Sequence, residues 1–387
     1  MRLALLTDGL YPYEIGGMQK HTYYLAKHLA RAGARVDLYH VRPLDAPAVD
    51  EASLFTPDEW ANLRLISVDR APARRFPGHY VWESLQSSIA LWEALKGRLD
   101  VNFIYAQGFA GWETIRQKRR GAAVPPVGVN FHGFEMWQKP ASLHARLEQW
   151  LLRPFVRWNV EHADVALLLG RSLATVFAKT GVVPRHLVES PNGVTADWLF
   201  AGTRPEEHPL PRPARAFVRF VFIGRYERRK GIEELHQVIA KLAPDHAFHI
   251  DFVGPIPPAL QLRSTHATYH GPVRDEEVMR GILREADVLI CPSYAEGMPT
   301  VILEAMASGL AVIATDVGAV GDLVGPETGW MIPPGDTDAL ARTLVEVLNA
   351  PAAIEAKRRT GQERIRQSYL WNTVAHDTLR NIKATLT

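Results

Sequence analysis

One cysteine, Cys291, stands in 387 residues, so neither an intrachain disulfide nor a thiolate metal cage is available to a single chain. No uncharged apolar run approaches the about 18 residues a spanning helix needs, so none is expected. Met1–Thr7 is too short for the apolar core of a secretion signal, and Asp8 follows at once, which makes a cytosolic face the expectation. Charge of one sign is also missing: 44 Lys and Arg against 42 Asp and Glu leave +2, and global charge makes no case for nucleic acid. Several catalytic signatures are absent. No Gly-x-Gly-x-x-Gly follows a first strand, which disfavours an NAD enzyme, and there is no Gly-x-x-x-x-Gly-Lys-Ser/Thr phosphate loop. Neither a Gly-x-Ser-x-Gly elbow nor a His-Glu-x-x-His zinc helix occurs, and the 15 histidines form no metal constellation.

What is present is an ordinary globular composition, 47% apolar and 22% charged, in a chain longer than one core usually grows. Two domains are expected. Arg2–Thr7 reads as a buried strand, Gln19–Ala32 as a helix with Leu25, Ala26, Leu29 and Ala30 on one stripe, and Arg35–His40 as a second strand after Gly33. Further strands are expected over 63–68, 101–105, 127–131 and 165–169, and helices over 80–95, 143–161 and 172–179. A break follows Asn192-Gly193-Val194, and Gly202–Pro213 has linker composition. The opening syntax then repeats: strand 217–223, polar loop, helix 231–242, strand 248–253. Strands 286–293 and 310–315 follow, and helices over 338–348, 352–366 and 371–382 close the chain. Such alternation predicts parallel sheets covered on both faces.

Glu296-Gly-Met-Pro-Thr-Val-Ile-Leu-Glu304 lies between the last two of those strands. It puts one carboxylate in a loop and a second in the following helix, where open α/β sheets bind ligands. The apolar flanks of Glu304 predict a buried position, and its bland alternative is a surface acid near a helix start. The amides of Gly297 and Met298 precede the helix, which starts near Thr300 after Pro299. The loop Gly224-Arg225 to Lys230-Gly231 comes off the first strand of the second half. Two cations beside helix amides suit a pyrophosphate, whereas a solvated basic turn is the alternative. Arg228 and Arg229 read as solvent-facing. In the first half, Gly16 and Gly17 are either a ligand-approach loop or merely a flexible one. His132, just past a strand, is either a structural donor or a partner for a sugar hydroxyl. Asn192-Gly193 marks a turn at the junction and is a second candidate for lining a cleft. Arg70, Arg74, Arg75 and Arg116, Lys118, Arg119, Arg120 form a solvated face or a contact for an anionic membrane or acceptor.

These motifs resemble the retaining, GT-B-fold glycosyltransferases of family 4. The Glu-x7-Glu pair, Gly-Arg-x4-Lys-Gly, Gly16-Gly17, Phe131-His132-Gly133 and Thr328–Gly335 (the family's late donor-side loop) all match. The resemblance implies two Rossmann-like α/β/α domains facing across a cleft, with boundaries at 1–200, a linker 201–215, 216–368, and a helix 369–387 crossing back. It implies that Glu304 holds the donor ribose, Glu296 contacts the sugar, and Arg225 and Lys230 bind the diphosphate. Gly16, Gly17, Gly224, Gly297, Met298, Pro299 and Thr300 would line the donor site, with His132 facing the sugar. Transfer of a hexosyl unit from a UDP- or GDP-sugar to a saccharide or lipid-linked acceptor, without metal or cofactor, is the implied activity. A nucleotide-sugar epimerase of the same architecture and a non-catalytic nucleotide-sugar-binding subunit are the alternatives. The implied setting is cytoplasmic, with peripheral contact to the inner membrane face as a further option.

Overall fold

The computed structural model describes residues 1–70, 78–199 and 217–386. The linker segment, and Arg74 and Arg75 of the basic cluster, lie outside those residues. The chain forms two compact units. One is built from Met1–Trp137, Leu147–Gly193 and the segment from Trp371 onward; the other from Gln138–Arg146 and Val194–Leu370.

The first unit holds seven parallel strands: β1 (Arg2–Thr7), β2 (Arg35–Arg42), β3 (Leu63–Asp69), β4 (Phe103–Gln107), β5 (Val127–Asn130), β6 (Val165–Leu168) and β7 (Leu187–Glu189). Their order is β3-β2-β1-β4-β5-β6-β7. The second holds β8 (Val218–Ile223), β9 (Phe248–Val253), β10 (Ala267–Gly271), β11 (Val288–Cys291), β12 (Ala311–Thr315) and β13 (Gly329–Ile332). There the order is β10-β9-β8-β11-β12-β13. Strand order reverses between β1 and β4, and again between β8 and β11, and a reversal opens a ligand crevice at the carboxyl ends of the strands. The near-continuous apolar runs of β1 and β11 are what strands covered on both faces require.

Most expected elements are present, shifted by one or two residues. The structure adds β7, β10 and β13 and the helices Trp112–Arg119 and Glu276–Glu285. Three-residue β7 is too short to show a period. β13 corrects part of one expectation: Gly329–Ile332 of the supposed late loop is a paired strand, leaving Pro333–Gly335 as the loop. Among the described residues, no helix is long and apolar enough to cross a membrane.

The terminal helix Trp371–Leu386 buries Trp371, Val374, Ala375, Thr378, Leu379 and Ile382, one stripe at 3.6-residue spacing. It packs on helix Gly17–Arg31 and on β7, so the C-terminus completes the first unit's core as expected. Gly193 makes that seat possible, because a Cβ there would lie 2.6 Å from a Trp371 ring carbon. Asn192 accepts the contact of His21 Nδ1 through its Oδ1 at 2.6 Å. The Asn192-Gly193 turn is therefore part of the packing of this unit. In the second unit, helix Pro351–Ser368 secures the end of helix Thr300–Ala307. Gln362 Nε2 donates to the Ala307 carbonyl at 2.8 Å and Arg358 Nε to the Gly309 carbonyl at 2.5 Å, pairing carbonyls that the helix end leaves open.

Trp371→Ala removes the largest side chain of the terminal stripe and should cost about 3–5 kcal/mol. Equilibrium urea unfolding measures it; a loss below about 1 kcal/mol would show that the helix is not part of the core.

Candidate functional site

In the second unit, the loops leaving β8 and β11 at the reversal point are locked together by backbone. After β8 the chain runs through Gly224 to a single 3-10 turn, Arg228–Lys230, then Gly231 and helix Ile232–Leu242. Gly231 has φ +68°, and a Cβ there would lie 2.1 Å from the Pro292 carbonyl oxygen. Only glycine fits. Tyr294 N–H donates to the Arg229 carbonyl at 2.8 Å, and Ala319 N–H to the Gly297 carbonyl at 2.8 Å, so three loops are braced.

Glu296 is at the centre of that brace and is 6% exposed. Its Oε1 accepts from Lys230 Nζ at 2.6 Å and from Ser293 Oγ at 2.7 Å; Arg229 Nη1 stands 3.6 Å from Oε2. Ser293 is positioned in turn by Thr315 Oγ1, which donates to its carbonyl at 2.5 Å. Gln138 reads the Glu296 backbone from both sides, donating Nε2 to the carbonyl at 2.6 Å and accepting the amide at 3.0 Å. Lys139 Nζ donates to the Pro334 carbonyl at 2.7 Å.

A second cluster lies beside the first. Tyr294 Oη donates to Glu234 Oε1 at 2.6 Å, Arg228 Nη1 to Glu234 Oε2 at 2.7 Å, and the Arg228 guanidinium stacks 4.7 Å from the Tyr294 ring centroid. Burial alone would raise the Glu234 carboxyl, but the Tyr294 and Arg228 hydrogen bonds outweigh it and hold the group below its ordinary value. Burial, aided by the Glu296 charge, pushes the Cys291 thiol up to about 11, which leaves it an inert core residue. Among the described residues no group of three or more His, Cys, Asp or Glu side chains could hold a metal ion.

The structure unites Lys230 with Glu296, whereas Arg225 pairs with a different acid. Arg225 is exposed, its side chain 69% accessible, and pairs with Glu227 at 3.0 Å. Arg228 and Arg229, expected to face solvent, are instead engaged with Glu234, Tyr294, Ala295 and Glu296. Glu304 is half-buried, not buried. Ile302, Leu303, Ala305 and Met306 face the core, while Thr300, Val301 and Glu304 share the partly accessible side of the helix. Pro299 is its N-cap, Thr300 its first residue, Met298 is buried and Gly297 half-buried. Sequence reasoning missed Ser293, Gln138, Glu234 and Tyr294 as site-building residues. Ser293 was legible as the polar residue just past β11; nothing local marks Gln138.

In the first unit, Gly16 is the extended N-cap of helix Gly17–Arg31, and Gly17 is exposed with open space where a side chain would start. His132 follows β5 with φ +58°, its N–H donating to Asn130 Oδ1 at 2.8 Å. Its ring meets His21 edge-on at 5.2 Å, and its buried Nε2 has no partner among the described residues. Burial, reinforced by His21, keeps it well below the usual histidine range and therefore neutral. A left-handed backbone is costly for a non-glycine residue and tends to persist at functional positions. Of the basic clusters, Arg70 bonds Glu14, Arg116 pairs with Glu113 and Lys118 with Asp164. Arg119 and Arg120 are exposed.

With this geometry in view, the chain matches the family described as Glycosyltransferase Family 4 over residues 15–198, and that described as Glycosyl transferases group 1 over residues 218–350. It is 28% identical to a glycogen synthase of Mycobacterium tuberculosis, across 97% of this chain and 92% of that protein. It is 27% identical to a phosphatidyl-myo-inositol mannosyltransferase of Mycobacterium leprae, across 98% and 96%. Its fold is similar to that of sucrose-phosphate synthase from Thermosynechococcus elongatus, with TM-score 0.77 at 21% identity over 99% and 98% of the chains.

Burial also depresses His21, His28 and His40 in the first unit to about 4 each. Below pH about 6.5 the unfolded chain takes these protons and the folded one does not, so folding weakens until about pH 4. Asp8, raised to about 6 by burial, opposes this with one group against four, His132 included. Stability should fall between pH 6.5 and 4.5, by up to about 1.4 kcal/mol per pH unit per histidine. Urea midpoints at pH 7 and 5 test the sign, and a higher midpoint at pH 5 would contradict it.

Proposed function

The chain belongs to the family 4 (group 1) glycosyltransferases of GT-B fold, and from that premise we propose that it moves a hexosyl unit from a UDP- or GDP-sugar to an acceptor hydroxyl with retention at the anomeric carbon. One observation supports the reading above the rest: a lysine and a glutamate from separate loops meet at 2.6 Å beside the reversal point of a parallel sheet. Lys230 supplies positive charge for the diphosphate, with the exposed Arg225 on the same loop able to turn toward it. Glu296 accepts a hydrogen bond from a sugar hydroxyl, and Glu304, on the accessible side of its helix, from the ribose. Gly224 admits the donor backbone-close. His132, in the first unit, offers a neutral ring nitrogen to a ligand hydroxyl.

In the transfer the bond from the anomeric carbon to the diphosphate oxygen breaks and a bond to the acceptor oxygen forms on the same face. The acceptor proton passes to the departing phosphate oxygen, which leaves as nucleoside diphosphate. Charge grows on that oxygen as the bond lengthens, so fixed cations matter most in the transition state. No carboxylate is assigned as nucleophile: Glu296 serves as acceptor for the sugar hydroxyl and for Ser293 Oγ. Because side-chain cations carry the neutralisation, activity is expected to persist in chelator.

The acceptor is read as a saccharide or lipid-linked intermediate of envelope polysaccharide or glycolipid synthesis, supported by relatives named for polysaccharide and phosphatidylinositol substrates. A cytoplasmic setting follows from this reading, with Arg119 and Arg120 as exposed basic residues within reach of an anionic membrane surface.

A donor screen monitored by nucleoside diphosphate release tests the activity. Lys230→Ala should lower kcat by about 10²–10³-fold while far-ultraviolet circular dichroism stays unchanged. Near-normal turnover in that folded variant would remove the diphosphate role.

A further inference from the structure

In the reading above Lys230 turns toward phosphate and Glu296 toward a sugar hydroxyl, yet here the two side chains hold each other at 2.6 Å. Both are largely withdrawn from solvent, with side-chain exposures of 19% and 8%. The surrounding loops do not yield easily, since Gly231 abuts Pro292 and the Arg228–Glu234–Tyr294 cluster pins both sides. A diphosphate therefore draws the Lys230 ammonium away from Glu296 by side-chain rotation, not by loop movement.

We propose that Glu296 competes with the diphosphate for Lys230, and that this competition makes the site favour a sugar-bearing nucleotide over the bare nucleoside diphosphate. The inference rests on the assignment of this site to a nucleotide-sugar donor. When a complete donor binds, a sugar hydroxyl replaces the ammonium as hydrogen-bond donor to Glu296 Oε1, next to Ser293 Oγ. When a bare diphosphate binds, nothing replaces it. The carboxylate is left with Ser293 at 2.7 Å and Arg229 at 3.6 Å, still almost fully buried and close to new negative charge. A buried charge stripped of its partner is disfavoured far more than an exposed one. The same asymmetry returns after transfer: once the sugar leaves, Glu296 reclaims Lys230 and the diphosphate is expelled. Glu296 is on this account a specificity-determining residue, and its bond to Lys230 is the resting state of a two-position exchange.

The test is calorimetric titration of UDP, GDP, UDP-glucose and GDP-mannose into the wild-type chain, Glu296→Gln, Lys230→Met and the double variant. Glu296→Gln should bind the preferred bare diphosphate about 3–10-fold tighter and the sugar nucleotide no tighter, since the lysine is released but the hydroxyl acceptor is weakened. In the Lys230→Met background the gain should vanish. A gain of the same size in that background would mean only a general field effect and would overturn the proposal. So would unchanged or weaker diphosphate binding by Glu296→Gln. Glu296→Asp keeps the charge but shortens the reach by one methylene. It should also tighten diphosphate binding, and serves if the glutamine variant does not fold. If no nucleotide binds the folded wild-type chain, the donor-site reading itself fails, an outcome separable from all of these.

Discussion

A carboxylate with almost no exposure must be paired, and the pairing of Glu296 organises the second unit. To reach it, Lys230 has to arrive from the β8 loop and Ser293 from the β11 loop. These loops can approach only because Gly231 carries no side chain against Pro292. Around the pair, the hydrogen bonds of Tyr294, Glu234, Arg228 and Gln138 take up groups that the burial of these loops would otherwise leave open. The result is a charged centre held on braced supports at the strand ends.

The first unit solves a different problem. Its carboxyl edge collects neutral polar groups: His21 on Asn192, His132 with a ring nitrogen unpaired among the described residues, and Tyr105 bridging Asn130 and Ser190. Burial keeps these histidines uncharged. Such an edge suits hydroxyl-rich ligands better than anions. Its floor is completed by the terminal helix, whose Trp371 lies beneath His21 and His28.

Elements with strong periodicity were legible without coordinates. Phe248–Val253 is a strand as read, and Ile232–Leu242 and Trp371–Leu386 are helices within a few residues, because their apolar positions repeat at the spacing of the element. Weakly patterned pieces were not. β10 alternates half-buried and exposed positions at a sheet edge with none buried, and helix Glu276–Glu285 buries a single side chain. At the site, Glu296 and Lys230 were identified from motif and position after a strand. The half-buried state of Glu304 was obscured because its neighbours in sequence are apolar while its neighbours on the helix face, Thr300 and Val301, are only partly covered. Arg228 and Arg229 looked like solvent charges because their partners, Glu234, Tyr294 and Glu296, are supplied by other segments.

Residue order alone thus established two repeated strand–loop–helix modules, the acid pair eight positions apart and the basic loop, since period, spacing and charge are local properties. Which charges meet was decided by the tertiary structure. Parallel strands bring residues distant in sequence to one edge, and only there does Lys230 find Glu296, Gln138 the Glu296 backbone and Trp371 its seat over Gly193. Such pairings depend on burial and loop approach, which no window of sequence contains.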